Sequence, residues 1–292
     1  METPSEKEII GLIGLGLMGT ALTERLLEHG YRVAVWNRTR DKADALLALG
    51  AEWSDNPLTV CQRVIISLYT TEVVEAMLAE LDAGLHAGQI ILDTTTGEPA
   101  QTAALGERLT ARGVRYLDAP ISGSSEQTRR GEATVIVGGE RAAFDACADL
   151  WRVMGKKVFH VGACGSAAKL KLISNLVLGL NRAALAEGLA FAEAIGVAPA
   201  AALEVMAGSM AYSRAMDVKG RKMIERDFTV QARLSQHLKD VRLMLQAAAD
   251  AGLSLPLTDT HRRLMEQAEA AGLGDQDNSA IIEVLRQPRP AT

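Results

Sequence analysis

Cysteine is nearly absent from this chain: Cys61, Cys147 and Cys164 are the only three among 292 residues, and no two form a CxxC pair. So small and odd a number argues against a disulfide framework, and a reducing, cytoplasmic setting is expected. Histidine is also sparse, with five residues scattered without ligand spacing, so no metal site is expected. Aromatic residues make up 4% of the chain, which disfavours a pocket built to stack a large flat ligand. There is no basic block of the kind that grips nucleic acid and no polybasic amphipathic stretch suited to an anionic membrane; both signs of charge are spread along a chain of net charge −5. The opening METPSEKEII lacks the apolar run of a signal peptide. The apolar segment 172–192 carries Asn181, Arg182 and Glu187, so it is not expected to span a membrane. What is present, 48% hydrophobic and 23% charged residues, is an ordinary globular make-up, long enough for one large domain or two of average size.

Up to about residue 160, short β-branched runs (EIIGLIG, YRVAVWN, RVIISLY, QIILDT, VRYLDA, ATVIVGG, KKVFHVG) alternate with helical patterns such as MGTALTERLLEHG and PAQTAALGERLTARG. Such alternation predicts a mostly parallel sheet covered by helices on both faces. After Gly165 the apolar spacing is helical throughout, in a stretch rich in Ala, Leu, Glu, Met and Arg. The expected organisation is a dinucleotide-binding α/β domain over 1–163 and an all-helical domain over 164–292, opened by a long helix. The closing QPRPAT reads as a frayed end.

The first strand runs directly into Gly14-Leu15-Gly16-Leu17-Met18-Gly19, with a helix following. This is GxGxxG in the strand–turn–helix context of a Rossmann-type domain. The first glycine allows the tight turn, the second lets the backbone approach a pyrophosphate, and the third lets the helix pack close to the strand. The helix N-terminus then offers free N–H groups and a positive dipole to the phosphates. At the end of the second strand, where NAD sites place an acid for the ribose 2′-hydroxyl, stands Asn37-Arg38-Thr39-Arg40. A guanidinium there suits a 2′-phosphate, so NADP is expected, with NAD as second choice. The alternative is a solvated arginine on a surface loop.

GSAAKLKLISN, residues 165–175, opens the long helix with two lysines. At about 100° per residue, Lys169 and Lys171 point some 200° apart, so they cannot face one cleft together. Lys171 and Asn175, at i and i+4, share a face. Two readings of Lys171 remain: a cation snorkelling at a helix end, or a functional group beside the reactive end of a ligand held by the first domain.

Four motifs then occur in one order over essentially the whole chain: GLIGLGLMG near the N-terminus, DAPISGS at 118–124, GACGSAAKLKLISN at 162–175 and HLKD at 237–240. In these the chain resembles the β-hydroxyacid dehydrogenases, the family of 3-hydroxyisobutyrate dehydrogenase, tartronate semialdehyde reductase and glyoxylate/succinic semialdehyde reductase. The resemblance implies that Lys171 is the catalytic lysine, that Ser122 and Gly123 bind the substrate carboxylate, and that Asn175 helps hold the substrate. It further implies that Thr96 contacts the nicotinamide nucleotide and that Lys239 reaches from the helical domain to the cofactor side of the cleft. WNRT at 36–39 is similar to the NADPH-using semialdehyde reductases. There are two departures: Ala167 stands where the family has the second glycine of a GxG, and Ser124 where many members have glycine.

The implied reaction is hydride transfer between a nicotinamide dinucleotide and a small carboxylated aldehyde or its hydroxy acid. Negative charge builds on the carbonyl oxygen, and a lysine there stabilises it and delivers a proton; burial and a helix N-terminus both favour the neutral lysine that such acid/base work uses. An imine reductase or a neutral-carbonyl reductase of the same architecture is the alternative. Relatives form dimers or tetramers, and the Ala- and Leu-rich AALAEGLAFAEAIG is a face that suits a second subunit, so a homo-oligomer is expected.

Overall fold

A computed structural model of the protein describes residues 8–286. QPRPAT and the first seven residues lie outside the described residues. The chain divides into two compact units, Met1–Lys171 and Leu172–Thr292.

The first unit is built on β1 (Ile9–Ile13), α1 (Leu17–Glu28), β2 (Arg32–Trp36), α2 (Asp44–Ala48), β3 (Glu52–Trp53), β4 (Arg63–Ile66), α3 (Thr71–Glu80), β5 (Ile90–Asp93), α4 (Pro99–Ala111) and β6 (Arg115–Asp118). The six strands form one parallel sheet in the order β3-β2-β1-β4-β5-β6. β4 and β5 are buried at every position, as strands covered on both faces must be, which is why they read as apolar runs with a charge only at one end, Arg63 opening β4 and Asp93 closing β5. Leu22 and Leu26 of α1 pack on one face; Val74 and Leu78 of α3 and Leu105 and Leu109 of α4 pack on the other. The strand order reverses between β1 and β4, and in open α/β sheets ligands bind at the carboxyl end of such a switch point.

Beyond β6 the chain builds a second, small sheet from β7 (Ile121–Ser122), β8 (Thr134–Val137) and β9 (Lys157–His160), with α5 (Ser125–Arg129), α6 (Arg141–Asp145) and α7 (Ala148–Met154) between them. ATVIVGG and KKVFHVG therefore do not join the main sheet. The physical reason is the short Ala119-Pro120 link after β6, which leaves no length for a parallel crossover back into the main sheet; β7 pairs antiparallel with β8 instead, and β8 parallel with β9. A bridge between Asp118 and Gly138 ties the two sheets together. The two-residue strands β3 and β7 are too short to show any period in the sequence.

The rest is helical: α8 (Ser166–Ala194), α9 (Pro199–Ala207), α10 (Arg221–Glu225), α11 (Leu234–Asp250), α12 (Pro256–Ala268) and α13 (Ile282–Leu285). The helical core gathers Leu185 and Leu189 of α8, Leu238 and Val241 of α11, and Met265 of α12. Asp277 is fully buried and sets the entry to α11. It takes both Lys219 Nζ contacts (2.8 and 2.9 Å) and accepts the amides of Gln231 and Ala232 at 3.0 and 3.1 Å. Among the described residues no helix is long and apolar enough to cross a membrane.

Candidate active site

The three loop glycines are needed for different reasons. Gly14 sits at φ +98°, and a Cβ there would lie 2.3 Å from the Ser67 carbonyl oxygen; at Gly19 it would lie 1.8 Å from the Gly14 carbonyl oxygen. At Gly16 a Cβ would meet nothing within 4 Å, so this backbone faces open space. Gly16 caps α1 without a side-chain hydrogen bond, and the first turn carries no acid. The N–H groups of Leu17, Met18 and Gly19 therefore have no carbonyl one turn earlier and no competing carboxylate, which fits a dinucleotide pyrophosphate.

Asn37 is a brace. Its Oδ1 accepts the Leu15 amide at 2.9 Å and its Nδ2 donates to the Thr39 carbonyl at 2.8 Å, locking the glycine loop to the end of β2. Arg38 and Thr39 are exposed, and among the described residues Arg38 makes no ion pair. Arg40, by contrast, lies over the Trp53 ring at 5.0 Å. Across the switch point, Thr95 Oγ1 accepts the Leu68 amide and Thr94 Oγ1 donates to the Ile66 carbonyl, tying the ends of β4 and β5 together. Thr96 follows, half-buried, in the loop after β5.

Of the two lysines of α8, Lys169 is exposed and Lys171 is buried. Lys171 Nζ donates to the Ile121 carbonyl at 2.7 Å, beside Ser122 and Gly123. That contact brings together two motifs separated by 50 residues. Ser124 serves the local backbone, capping α5 in a reciprocal capping box with Gln127. The nearby charges are paired, Glu126 with Arg130 at 2.7 Å and Arg129 with Glu24. Ala167 is fully buried in the first turn of α8.

In the helical unit, Asn175 Nδ2 donates to Asp240 Oδ2 at 2.9 Å, and Lys239 Nζ lies 3.0 Å from Asp240 Oδ1. Asp240 thus positions both residues. Sequence reasoning passed over it although it closes HLKD. The same is true of Asp118 at the head of DAPISGS, whose Oδ2 accepts the Ala168 amide at 3.0 Å. Behind Asn175, Gly179 leaves room for two histidines: a Cβ there would lie 2.5 Å from His237 Nε2 and 2.8 Å from His261 Cε1. The two rings stand 5.4 Å apart. Arg182 is buried, and its Nε and Nη2 find no hydrogen-bond partner among the described residues. Among the described residues no group of three or more His, Cys, Asp or Glu side chains is placed to hold a metal ion.

A doubly wound sheet with a bare glycine loop at its switch point, followed by a helical unit, is the architecture of a nicotinamide-dinucleotide oxidoreductase. Residues 9–162 match the NAD binding domain of 6-phosphogluconate dehydrogenase, and residues 165–285 match the family described as NAD-binding of NADP-dependent 3-hydroxyisobutyrate dehydrogenase. The chain is 32% identical over 290 residues to 2-(hydroxymethyl)glutarate dehydrogenase of Eubacterium barkeri, covering 97% of this chain and 96% of that one. It is 29% identical over 302 residues to the chloroplastic glyoxylate/succinic semialdehyde reductase 2 of Arabidopsis thaliana, covering 97% and 82%. The crystal structure of 3-hydroxyisobutyrate dehydrogenase from Salmonella typhimurium superposes with a TM-score of 0.87 at 25% identity, over 95% of this chain and 100% of that one. An imine reductase from Pseudomonas sp. shares the fold at a TM-score of 0.63 and 24% identity, covering 96% and 99%. The chain belongs to the β-hydroxyacid dehydrogenase family and is an NAD(P)-dependent enzyme of it.

Proposed function

We propose that the enzyme interconverts a small carboxylated aldehyde and its hydroxy acid with NADP(H), and that Lys171 is the general acid/base. The observation that carries this reading is the 2.7 Å bond from Lys171 Nζ to the Ile121 carbonyl, which holds a buried ammonium next to Ser122 and Gly123. A lysine in that position donates a hydrogen bond and a proton to a carbonyl oxygen as charge develops on it. Ser122 and Gly123 supply a hydroxyl and backbone N–H groups to the carboxylate, which seats the aldehyde carbon with respect to Lys171. Asn175, with one amide hydrogen engaged by Asp240, has its other hydrogen and its Oδ1 for substrate. Leu17, Met18 and Gly19 hold the pyrophosphate through their amides, Gly14 and Leu15 shape the turn, Thr96 and Lys239 contact the nucleotide, and Asn37 and Thr39 shape its ribose end. The nicotinamide, when bound, supplies or accepts the hydride. The enzyme works as a cytoplasmic homodimer or homotetramer; the exposed Ile173, Val177 and Phe191 along α8, with Ile195 just past its end, and the three unpaired cysteines support that setting.

The carboxylate anchor is tested by comparing kcat/KM for succinic semialdehyde and butanal. Leaving the anchor's donors unpaired costs about 1–3 kcal/mol, so butanal is expected to be slower by roughly ten- to a hundredfold. Equal values overturn the anchor and favour a neutral-carbonyl reductase; turnover of cyclic imines alone favours an imine reductase.

The NADP preference rests on Arg38, which is exposed and pairs with no carboxylate among the described residues. Arg38→Ala is expected to raise the KM for NADPH about ten- to a hundredfold, as for the loss of a charge-assisted phosphate contact, and to leave that for NADH nearly unchanged. Equal use of both cofactors by the unmodified enzyme overturns the assignment.

A further inference from the structure

The first turn of α8 contains no acidic residue of its own, although it opens the helix that carries Lys171. The missing negative charge comes from another element. Asp118, at the end of β6, is 2% exposed and its Oδ2 accepts the Ala168 amide at 3.0 Å, 50 residues on in the chain. The Gly165 amide also faces this carboxylate. Its backbone is equally constrained: Asp118 N–H donates to the Gly138 carbonyl at 3.1 Å and the Gly138 N–H returns the bond at 2.8 Å. A Cβ at Gly138 would lie 2.3 Å from Asp118 Oδ1, so glycine is needed there for the carboxylate to fit. Three residues further along, Ile121 offers its carbonyl to Lys171 Nζ. The segment 118–121 therefore grips α8 twice, at the backbone of its first turn and at the lysine side chain one turn later.

We infer that Asp118 is a positioning residue for the reaction: its ionised carboxylate, seated at the positive end of α8, fixes that helix against the segment bearing Ser122, so that Lys171 and the carboxylate-binding residues keep one geometry. This rests on the assignment of Lys171 as the acid/base made above. A carboxylate at a helix N-terminus is stabilising there and screens the dipole that otherwise opposes a nearby ammonium. The titratable groups facing Asp118 are Asp93 of β5, Tyr116 of β6, whose hydroxyl donates to Asp93 at 2.5 Å, and Cys164 just ahead of α8. Burial, reinforced by the Asp93 charge, raises the Asp118 carboxyl to about 6, against the opposing pull of the Ala168 and Gly165 amides. Asp118 is therefore ionised at neutral pH and takes up its proton on mild acidification, which weakens its acceptance of the helix amides.

The test is Asp118→Asn, isosteric and able to keep one accepted hydrogen bond, measured beside the unmodified enzyme and Lys171→Ala with succinic semialdehyde and NADPH. The expected result is a folded protein with unchanged NADPH affinity, a kcat at least tenfold lower, a KM for the aldehyde changed by less than threefold, and loss of the decline in kcat that the unmodified enzyme shows as pH falls through about 6. A merely structural role would shift the unfolding midpoint and both kinetic constants together and leave that acid limb in place; this outcome, or a kcat within twofold of the unmodified enzyme, overturns the inference. If Asp118→Asn does not fold, the unmodified enzyme still decides: a kcat flat between pH 7 and 5 overturns it, and a decline centred near 6 supports it. Full activity in Lys171→Ala would instead overturn the assignment of the acid/base, a separate failure.

Discussion

Lys171→Ala is expected to lower kcat by about 10²–10⁴-fold while NADPH still binds with its normal affinity. The magnitude is what a positioned proton donor contributes, and the separation of effects follows from the map of the site. The ammonium touches the Ile121 carbonyl beside Ser122, whereas the dinucleotide is assigned to the open Gly16 backbone, the α1 amides and Arg38. Lys169→Ala is the control, since its side chain is exposed and is expected to leave turnover within a few-fold. Steady-state rates, together with NADPH titration by fluorescence, check both. A Lys169 variant that is inactive beside an active Lys171 variant would overturn the assignment of the acid/base.

His261→Leu is expected to make the protein more resistant to acid unfolding than the unmodified chain. Burial lowers the His261 imidazole from 6.5 to about 4, and the nearby Arg182 guanidinium pushes in the same direction. The native state thus keeps this ring neutral where the unfolded chain protonates it. The stability from a neutral His261 is complete above pH 6.5 and is lost as pH falls toward 4, by about 3 kcal/mol over the window. Asp118 acts with the opposite sign. Its raised carboxyl binds a proton more tightly in the native state, so its contribution is present at low pH and is lost as pH rises through about 6. Urea unfolding at pH 7, 6, 5 and 4.5 is expected to show His261→Leu gaining on the unmodified protein as pH falls, and Asp118→Asn losing ground. Parallel curves for His261→Leu and the unmodified protein would show that this histidine does not titrate differently in the two states.

Local features of the chain were legible without a structure because they depend on neighbours in sequence. β1, the glycine loop and α1 follow from one apolar run, three glycines and a helical period. The opposite exposures of Lys169 and Lys171 follow from 100° per residue on a continuous helix. The parallel sheet followed by helices followed from the change of period near Gly165.

Other features depend on which distant segments meet, and no local pattern carries that. Asn37 stands in WNRT, where the ribose end of the cofactor is expected, and the brace from its Oδ1 to the Leu15 amide of the glycine loop forms only because β1 and β2 lie side by side in the sheet. ATVIVGG has the composition of a main-sheet strand, but the short turn after β6 sends it into a separate small sheet. Asp118 reads as the first letter of a substrate-binding motif and is instead the acid for a helix 50 residues away. Asp240 holds Asn175 from 65 residues away. Sequence periodicity dictates how a segment coils and which side of it is apolar; the partner of a buried amide or carboxylate is chosen when those sides pack, and desolvation makes that choice obligatory.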